Sequence, residues 1–293
     1  MATGTATVKG VFGIYQPGST HMVGDGFPVR NLFPSNDLDR LVDPFLMLDY
    51  AGPHVFEPSA HPRGVGEHPH RGFETVTIMY QGAVAHRDSA GNAGVIRPGD
   101  VQWMTAASGV VHEEMHETDW AKKGGIFQAV QLWVNLPRSQ KMSAPRYQTI
   151  LDADIPAVDL NGGGTVRVIS GSFQGRKGPA RTHTPVDLYD LQLQTDEETE
   201  VNVQDGHHMA ILVVGGRVSV NRSAEVKEGE LVVFSPHGNL VKIDADTGSR
   251  LLIMSGQPLN EPIARYGPFV MNTRDELVQA AQDYQAGRMG HLS

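Results

Sequence analysis

Two short segments rich in histidine carry the side chains best suited to chemistry. His68 and His70 flank Pro69, and His112 stands two residues before Glu114. Side chains at positions i and i+2 of a β-strand share a face. If both segments are extended and lie on neighbouring inward-facing strands, three imidazoles and one carboxylate meet at one point. That donor set suits a divalent transition metal with open positions for water.

The spacing of these histidines could arise by chance, because the chain has 13 histidines. A single His-x-His pair is often an ordinary surface or core pair whose ring nitrogens are hydrogen-bonded within the protein. His116 shares parity with His112 but lies further along the segment. Glu74 shares parity with His70, yet four residues of strand span roughly 13 Å, so it reaches the metal only if the strand bends. Otherwise we expect Glu74 to support the metal ligands without binding the metal itself. Without cysteine, we expect a catalytic or sensing metal site rather than structural zinc.

Turn-forming residues and short apolar runs predict a fold of many short strands. The 293 residues include 33 Gly and 18 Pro, which favours strands over a helical bundle. The predicted strands are Phe73–Tyr80, Gly82–His86, Gly94–Pro98, Val101–Thr105, Val110–Met115, Phe127–Leu136, Thr165–Ser170, Asp187–Leu193, Ala210–Val214, Arg217–Val220, Leu231–Ser235 and Arg250–Ser255. The stretch up to about residue 60 is expected to be irregular, and residues 137–156 to be a connector. A C-terminal helix is predicted to start at Thr273, with Glu276 completing a capping box, and to stop at Gly287.

The two halves of the chain share a pattern. Ile78–Gly82 followed by Val95–Asp100 parallels Leu212–Gly216 followed by Val226–Glu230. Each is a strand, a glycine turn, a second strand and a turn that ends on an acidic residue. This repeat predicts two similar β-barrels or sandwiches in tandem.

The second half of the chain has the same pattern of short predicted strands and turns, but it lacks the spaced histidines. His207 and His208 are adjacent, so they would point to opposite faces of a strand. Ser235–His237 reads as a turn. We therefore expect the second barrel to hold no metal.

Composition excludes several classes of protein. Acidic residues outnumber basic ones by 33 to 24, a net charge of −9, which disfavours direct binding of nucleic acid. The absence of cysteine removes disulfide frameworks, thiol nucleophiles and iron–sulfur sites and favours a reducing compartment. The first residues lack a basic segment followed by an apolar one, and no apolar run approaches the ~20 residues that span a bilayer. We predict a soluble, cytoplasmic protein without a membrane partner.

Longer motifs surround the histidines and continue along almost the whole chain. They are Arg30–Pro34, Asp43–Leu46, His68–Thr77, Gly99–Ala106, Gly109–Met115, Gln131–Pro137 and Arg265–Thr273. Together they resemble the pirin family of the cupin superfamily. The resemblance implies an all-β bicupin, with two tandem jelly-roll β-barrels, short helices and the C-terminal helix. Residues 1–140 would form the metal-binding cupin domain, and residues 141–293 the companion cupin domain.

The resemblance also implies a ligand set. In pirins the metal is held by the two histidines of the first motif and by the histidine and second acidic residue of the later one. Carried over, these are His68, His70, His112 and Glu114, the set that strand parity selects. The general cupin pattern also offers Glu74, but the resemblance to pirins argues against that use. The metal expected first is Fe2+, although this donor set accepts Mn, Ni, Cu, Co or Zn as well.

Pirin resemblance implies flavonol 2,3-dioxygenase activity, with quercetin as the model substrate. Glu114 would take the proton of the flavonol 3-hydroxyl as catalytic base. O2 would then add to the activated ring, which opens with loss of carbon monoxide. Pirins also resemble metal-dependent regulators, in which the redox state of the metal alters the surface that a protein partner meets. A metal-dependent isomerase or small-molecule binder is a third possibility, since fold does not determine function.

Overall fold

The computed structural model describes residues 6–34, 38–160, 163–194, 198–222 and 225–292. In chain order the elements are β1 (Val11–Tyr15), β2 (His21–Val23), β3 (Phe27–Phe33), α1 (Asp39–Val42), β4 (Phe45–Phe56), β5 (Gly64–His70), β6 (Phe73–Gln81), β7 (Val84–Asp88), β8 (Ala93–Ile96), β9 (Val101–Thr105), β10 (Val110–His116), α2 (Thr118–Lys123), β11 (Gly125–Asn135), β12 (Arg146–Ile150), β13 (Ala157–Asp159), β14 (Gly164–Ser170), β15 (Ser172–Phe173), β16 (Arg176–Lys177), β17 (Val186–Leu193), β18 (Thr199–Asn202), β19 (His208–Gly215), β20 (Arg217–Val220), β21 (Glu225–Lys227), β22 (Leu231–Phe234), β23 (Leu240–Ala245), β24 (Arg250–Gly256), β25 (Ala264–Tyr266), β26 (Phe269–Met271) and α3 (Arg274–Gln285). The predicted all-β class is confirmed. No helix in the described residues is long and apolar enough to cross a membrane.

Two compact units make up the chain. The companion unit consists of Met1–Gly18, Pro34–Pro44 and Ala153–Pro258, and the site unit of Ser19–Phe33, Phe45–Asp152 and Leu259–Ser293. Along the sequence, segments of the two units alternate. The N-terminal strand β1 pairs with β22 of the companion unit, and the C-terminal elements belong to the site unit. The division into residues 1–140 and 141–293 stays a prediction. Residues 1–5, on which part of the signal-peptide prediction depends, lie outside the described residues.

The site unit is built from a large and a small antiparallel sheet. The large sheet has the order β12-β9-β6-β11-β4-β3-β2, and the small sheet the order β5-β10-β7-β8. Only part of its interior is filled by apolar side chains such as Met79, Ile96 and Phe127. Histidine and carboxylate side chains occupy buried positions on β5, β7 and β10. The four predicted metal ligands of this unit therefore all lie on the small sheet.

The companion unit has the same two-sheet plan with a different interior. Its sheets have the orders β1-β22-β19-β24-β17-β14-β13 and β18-β23-β20-β21. One continuous cluster of buried apolar residues joins both sheets, with Ile211 and Ile253 from the first and Val220 and Ile243 from the second. The described interior of this unit is therefore built mainly from close-packed aliphatic side chains.

The internal repeat extends to matching hydrogen bonds. Gly99 N–H donates to Met79 O at 2.8 Å, and Gly229 N–H donates to Val213 O at 2.8 Å. At the acidic end of each turn a carboxylate accepts from the backbone three residues earlier, Asp100 from Arg97 at 2.9 Å and Glu230 from Lys227 at 2.8 Å. Both glycines have positive φ, +94° and +83°, which favours glycine over residues with a Cβ. The turn chemistry was readable in the sequence because it is local.

Two regional predictions are wrong. The stretch before residue 60 is not irregular, since it contains β1 to β4. Gly52 and Pro53 break the apolar pattern of β4, but they lie where the pairing with β11 is irregular, so the strand continues past them. The supposed connector contains β12, which pairs with β9 at the edge of the large sheet. The C-terminal capping box of Thr273 and Glu276 is confirmed, and the helix ends at Gln285, just before the predicted stop.

Candidate metal centre

Strand β10 lies between β5 and β7 and supplies the central pair of the site. Burial alternates along it: His112 and Glu114 are buried, and Glu113 between them is only partly covered. The predicted shared face of His112 and Glu114 is confirmed. Across the ladder, His112 lies opposite His68 of β5 and Glu114 lies opposite His86 of β7. Pro69 sits in β5, an edge strand, where its missing N–H leaves the sheet intact.

Three of the predicted ligands form one compact imidazole group. The ring centroids of His68 and His112 are 4.2 Å apart, and the ring centroid of His70 lies 4.9 Å from each of them. One nitrogen from each ring lies within 4.8 Å of the others. A second group within the same limit joins His112 to Glu114 and His86. The two groups share His112, and together they form a cluster able to bind a metal.

The hydrogen bonds of the rings indicate which nitrogens are left for a ligand. His68 Nδ1 lies 2.8 Å from Gly66 O, and His70 Nδ1 lies 3.4 Å from Pro268 O. Backbone carbonyls accept hydrogen bonds, so these Nδ1 atoms donate and Nε2 of each ring carries the lone pair. His112 Nε2 is buried and has no hydrogen-bond partner in the described part of the chain. A buried nitrogen left unpaired is costly, and a bound metal ion would satisfy it.

Burial keeps the imidazoles of His70 and His112 in the neutral form that coordinates metals. Desolvation, assisted by the neighbouring His68, lowers the pKa of His70 to about 3. Burial and the adjacent histidines hold the pKa of His112 well below its ordinary value. Both rings are therefore neutral at physiological pH, and metal binding does not have to displace a proton from them.

Three side-chain donors hold the carboxylate of Glu114. Gln131 Nε2 donates to Oε2 at 3.0 Å. Gln102 Nε2 and Thr77 Oγ1 donate to Oε1 at 3.3 Å and 3.4 Å. Hydrogen bonds from neutral donors orient the carboxylate without cancelling its charge, so it can still bind a cation or accept a proton.

An apolar cavity of about 330 Å³ opens beside the cluster. It is lined by Val23, Phe27, Val29, Met47, Asp49, Ala51, Val65, His68, His70, Thr77, Val84, Glu114, Phe127, Ala129, Val130, Gln131 and Trp133. The polar groups of this wall include three of the predicted ligands. The volume lies within the range of roughly 300–1,000 Å³ found for small-molecule sites. The cavity thus offers an apolar molecule a place against the cluster.

His116 and Glu74, the two weaker candidates, lie in other surroundings. His116 Nε2 is 2.9 Å from Gly26 O, and its ring packs among aromatic side chains that include Phe56 and Trp120. Glu74 is fully buried and accepts a hydrogen bond from Thr105 Oγ1 at 2.6 Å. Its desolvation raises its pKa to about 7 despite that hydrogen bond. Neither residue belongs to the groups of metal-capable side chains found among the described residues.

His86 is the site residue that the sequence reasoning missed. It stands two residues before Asp88, the same spacing that marks His112 and Glu114. The predicted strand ended at His86, whereas β7 runs to Asp88 and puts both side chains in buried positions. Extending the strand by two residues would have revealed this third spaced pair.

The adjacent histidines of the companion unit lie at the start of β19. His208 is buried, and His207 Nδ1 is 4.0 Å from an Asp187 carboxylate oxygen. No group of three metal-capable side chains was found in the described residues of this unit. The expectation of a metal-free companion unit stays a prediction.

Two antiparallel double-sheet units in one chain, one with a cluster of histidines and a glutamate beside a cavity, define a bicupin. Residues 26–134 match the family model Pirin, and residues 188–290 match the model of the Pirin C-terminal cupin domain. The chain belongs to the pirin family. The predicted bicupin fold and family resemblance are therefore confirmed.

Individual relatives match over nearly the full length. The chain is 50% identical to a Pseudomonas aeruginosa protein named "Putative quercetin 2,3-dioxygenase", over 96% of this chain and 98% of that protein. It is 41% identical to a pirin-like protein of Solanum lycopersicum, over 91% and 88% of the two chains. A crystal structure named as quercetin 2,3-dioxygenase from Acinetobacter baumannii is similar, with a TM-score of 0.94, 45% identity, and coverage of 98% of this chain and 100% of that one.

Proposed function

We propose that this protein is a metal-dependent dioxygenase that opens flavonols such as quercetin with O2 and releases carbon monoxide. The observation that carries the proposal is the position of His68, His70 and Glu114 in the wall of an apolar cavity. The names of the Pseudomonas and Acinetobacter relatives support the substrate class. We further propose that the reaction takes place in the cytoplasm.

We infer that His68, His70, His112 and Glu114 hold the metal, which we take to be Fe2+. The lone pairs on the imidazole Nε2 atoms and the unpartnered Nε2 of His112 support this assignment. Mn, Ni, Cu, Co and Zn are alternatives that the same donors accept. A divalent ion bound there supplies a Lewis acid and, when redox-active, a partner for O2.

Glu114 is the proposed catalytic base. A flavonol in the cavity brings its 3-hydroxyl to the wall where Glu114 lies, and the carboxylate takes the hydroxyl proton. Hydrogen bonds from Gln102, Gln131 and Thr77 hold the Glu114 carboxyl group in one orientation while it gains and loses the proton. The deprotonated flavonol is electron-rich, and O2 adds to it before the ring opens with loss of carbon monoxide.

Apolar side chains contribute by surrounding the substrate. Phe27, Phe127 and Trp133 offer aromatic surface to a flat polyphenol, which favours stacking and edge contacts. Exclusion of water from this wall strengthens the electrostatic interaction between the flavonolate and the cationic site. Asp49 is buried in the same wall and offers carboxyl oxygen to a phenolic hydroxyl, while its Oδ1 accepts a hydrogen bond from Asn31 Nδ2 at 2.8 Å.

The test combines elemental analysis with a gas-exchange assay. Purified protein is analysed for first-row metals, loaded anaerobically with Fe2+ and then given quercetin and O2. We expect uptake of one O2 and release of one carbon monoxide for each quercetin consumed. Metal-loaded protein that consumes no O2 contradicts the proposal. Anaerobic conversion of the substrate would instead indicate an isomerase, and pull-downs under oxidising and reducing conditions would test a regulatory role.

A further inference from the structure

Asp88, His86 and His112 form a continuous chain of contacts behind the cluster. Asp88 Oδ2 lies 3.4 Å from His86 Nε2, and His86 Nδ1 lies 3.3 Å from His112 Nδ1. All three residues are buried. Water is therefore a poor competitor for these atoms, so His86 Nε2, His86 Nδ1 and His112 Nδ1 have to be paired by the neighbours they face.

The carboxylate at one end determines the direction of every hydrogen bond. Ionised Asp88 can only accept, so Nε2 of His86 donates to it. A neutral imidazole has one N–H, which leaves Nδ1 of His86 as an acceptor. Nδ1 of His112 faces that lone pair and has to donate. The lone pair of His112 is then on Nε2, the buried nitrogen that has no hydrogen-bond partner in the described residues.

Gln102 gives the same direction independently. Its Nε2 lies 3.3 Å from Glu114 Oε1 and 3.3 Å from His86 Nδ1. An ionised Glu114 accepts only, so the amide of Gln102 must turn its NH2 group toward it. The same NH2 group then faces His86 Nδ1, which again has to be the acceptor, and its single lone pair is shared between Gln102 Nε2 and His112 Nδ1, each at 3.3 Å. Two separate carboxylates thus impose one tautomer on His86.

We propose that Asp88 and His86 are positioning residues that lock His112 in the tautomer with Nε2 free for a transition metal. The inference rests on the proposed metal site and deepens it. Metal-binding histidines commonly donate their second N–H to a carboxylate or carbonyl, which orients the ring and selects its tautomer. In this protein the carboxylate acts on His112 through an intervening imidazole.

Replacing the Asp88 carboxylate by an amide should remove one of the two constraints on the His86 tautomer and oppose the other. Asp88 Oδ1 accepts from the backbone N–H groups of Ala90 and Asn92, each at 2.9 Å, and from Asn92 Nδ2 at 3.1 Å, whereas Oδ2 faces His86 and accepts from Asn92 Nδ2 at 3.0 Å. In Asp88→Asn the side-chain oxygen has to remain at that position, so the new NH2 group faces Nε2 of His86. This favours a His86 proton on Nδ1, against the Gln102 amide that still faces Nδ1. His112 would then accept at Nδ1 and carry its proton on Nε2 in part of the population. That proton occupies the nitrogen proposed to bind the metal.

The tautomers can be read by 15N NMR of metal-free protein labelled at histidine. We expect His112 to be protonated on Nδ1 alone in the wild type and to populate the Nε2-protonated tautomer as well in Asp88→Asn. Affinity for Co2+, followed by its absorption bands, should fall by about 10- to 100-fold in the variant. A wild-type His112 protonated on Nε2 overturns the proposal without any variant. So does an Asp88→Asn protein with unchanged tautomer and Co2+ affinity.

Two further variants separate positioning from simple loss of stability. Asp100→Asn removes a comparable buried acceptor, since Asp100 accepts from the backbone of Arg97 and Asp152, and it should leave the His112 tautomer and Co2+ affinity unchanged. His86→Phe keeps a ring stacked on Tyr147 but removes both nitrogens. In that variant we expect His112 to lose its single tautomer and Co2+ affinity to fall.

Failure of the proposed function has a different signature. If the protein lacks flavonol turnover, or binds no metal, the tautomers of the metal-free wild type and Asp88→Asn proteins still decide the positioning role. If turnover is present but the tautomer does not respond to Asp88→Asn, the dioxygenase proposal stands and the positioning role is rejected.

Discussion

His68 and His112 lie directly opposite each other in the antiparallel pairing of β5 and β10, with ring centroids 4.2 Å apart. The pairing itself brings the rings together, so the site does not depend on a flexible loop to assemble it. A shift of one residue in this register would move the His112 side chain to the opposite face. Variants that leave this pairing intact can therefore be used to test metal binding.

Removal of the metal should lower the stability of the protein. An ion that binds only the folded state stabilises it by about 2.7 kcal/mol at a free concentration 100 times its Kd. We expect a chelator to lower the Tm of the metal-loaded wild type, as measured by calorimetry. His112→Ala should have a chelator-insensitive Tm. His61→Ala, at an exposed histidine outside the cluster, should behave like the wild type, and the assignment fails if both variants respond equally.

Glu114→Gln should lose turnover more than it loses metal. A catalytic base typically contributes 10²- to 10⁴-fold in rate, so we expect kcat with quercetin to fall by at least about 100-fold while a large share of the metal remains bound. Glu113→Gln is the matched control, because Glu113 is on the other face of β10 and pairs with Arg87. Full activity of metal-loaded Glu114→Gln would reject its role as base.

Filling the cavity should impair substrate binding without removing metal. Ala129 lines the cavity, and Ala129→Phe places a ring in the space proposed for the flavonol. We expect KM for quercetin to rise at least tenfold, or saturation to be lost, with overpacking costing roughly 1–3 kcal/mol of stability. Steady-state kinetics and metal analysis measure the two effects. Ala157→Phe, at an exposed position of the companion unit, serves as control, and unchanged KM in Ala129→Phe would put the substrate elsewhere.

Glu74→Gln should make stability less dependent on pH. Burial raises the pKa of Glu74 from 4.5 to about 7, so its neutral form favours the folded state. That contribution is complete below pH 4.5 and is lost as the pH rises to about 7, which amounts to about 3 kcal/mol at about 1.4 kcal/mol per pKa unit. Between pH 4.5 and 7 the wild type should therefore lose about this amount of unfolding free energy relative to the variant. Urea unfolding of metal-free proteins measures the difference, and a constant difference would disprove the raised pKa.

Local signals in the sequence predicted most of the β-strands. Short apolar runs next to glycine turns predicted β6, β9 and β10 closely, because turn conformation and side-chain alternation depend on neighbouring residues. The same signals failed for β4, where Gly52 and Pro53 interrupt the pattern. Only pairing with β11 reveals that the strand continues, and that pairing is not local.

The sequence by itself determined that His68 and His70, like His112 and Glu114, are spaced to share a strand face, and its motifs identified the family. Tertiary structure decided the rest. Register between β5, β10 and β7 depends on packing across the whole sheet, and it selected His68 as the partner opposite His112 and brought His86 and Asp88 in behind them. The cavity likewise depends on where side chains from distant strands leave space, because no single strand encodes a void. Spacing along a chain is a local property, whereas convergence and empty volume arise only when sheets pack.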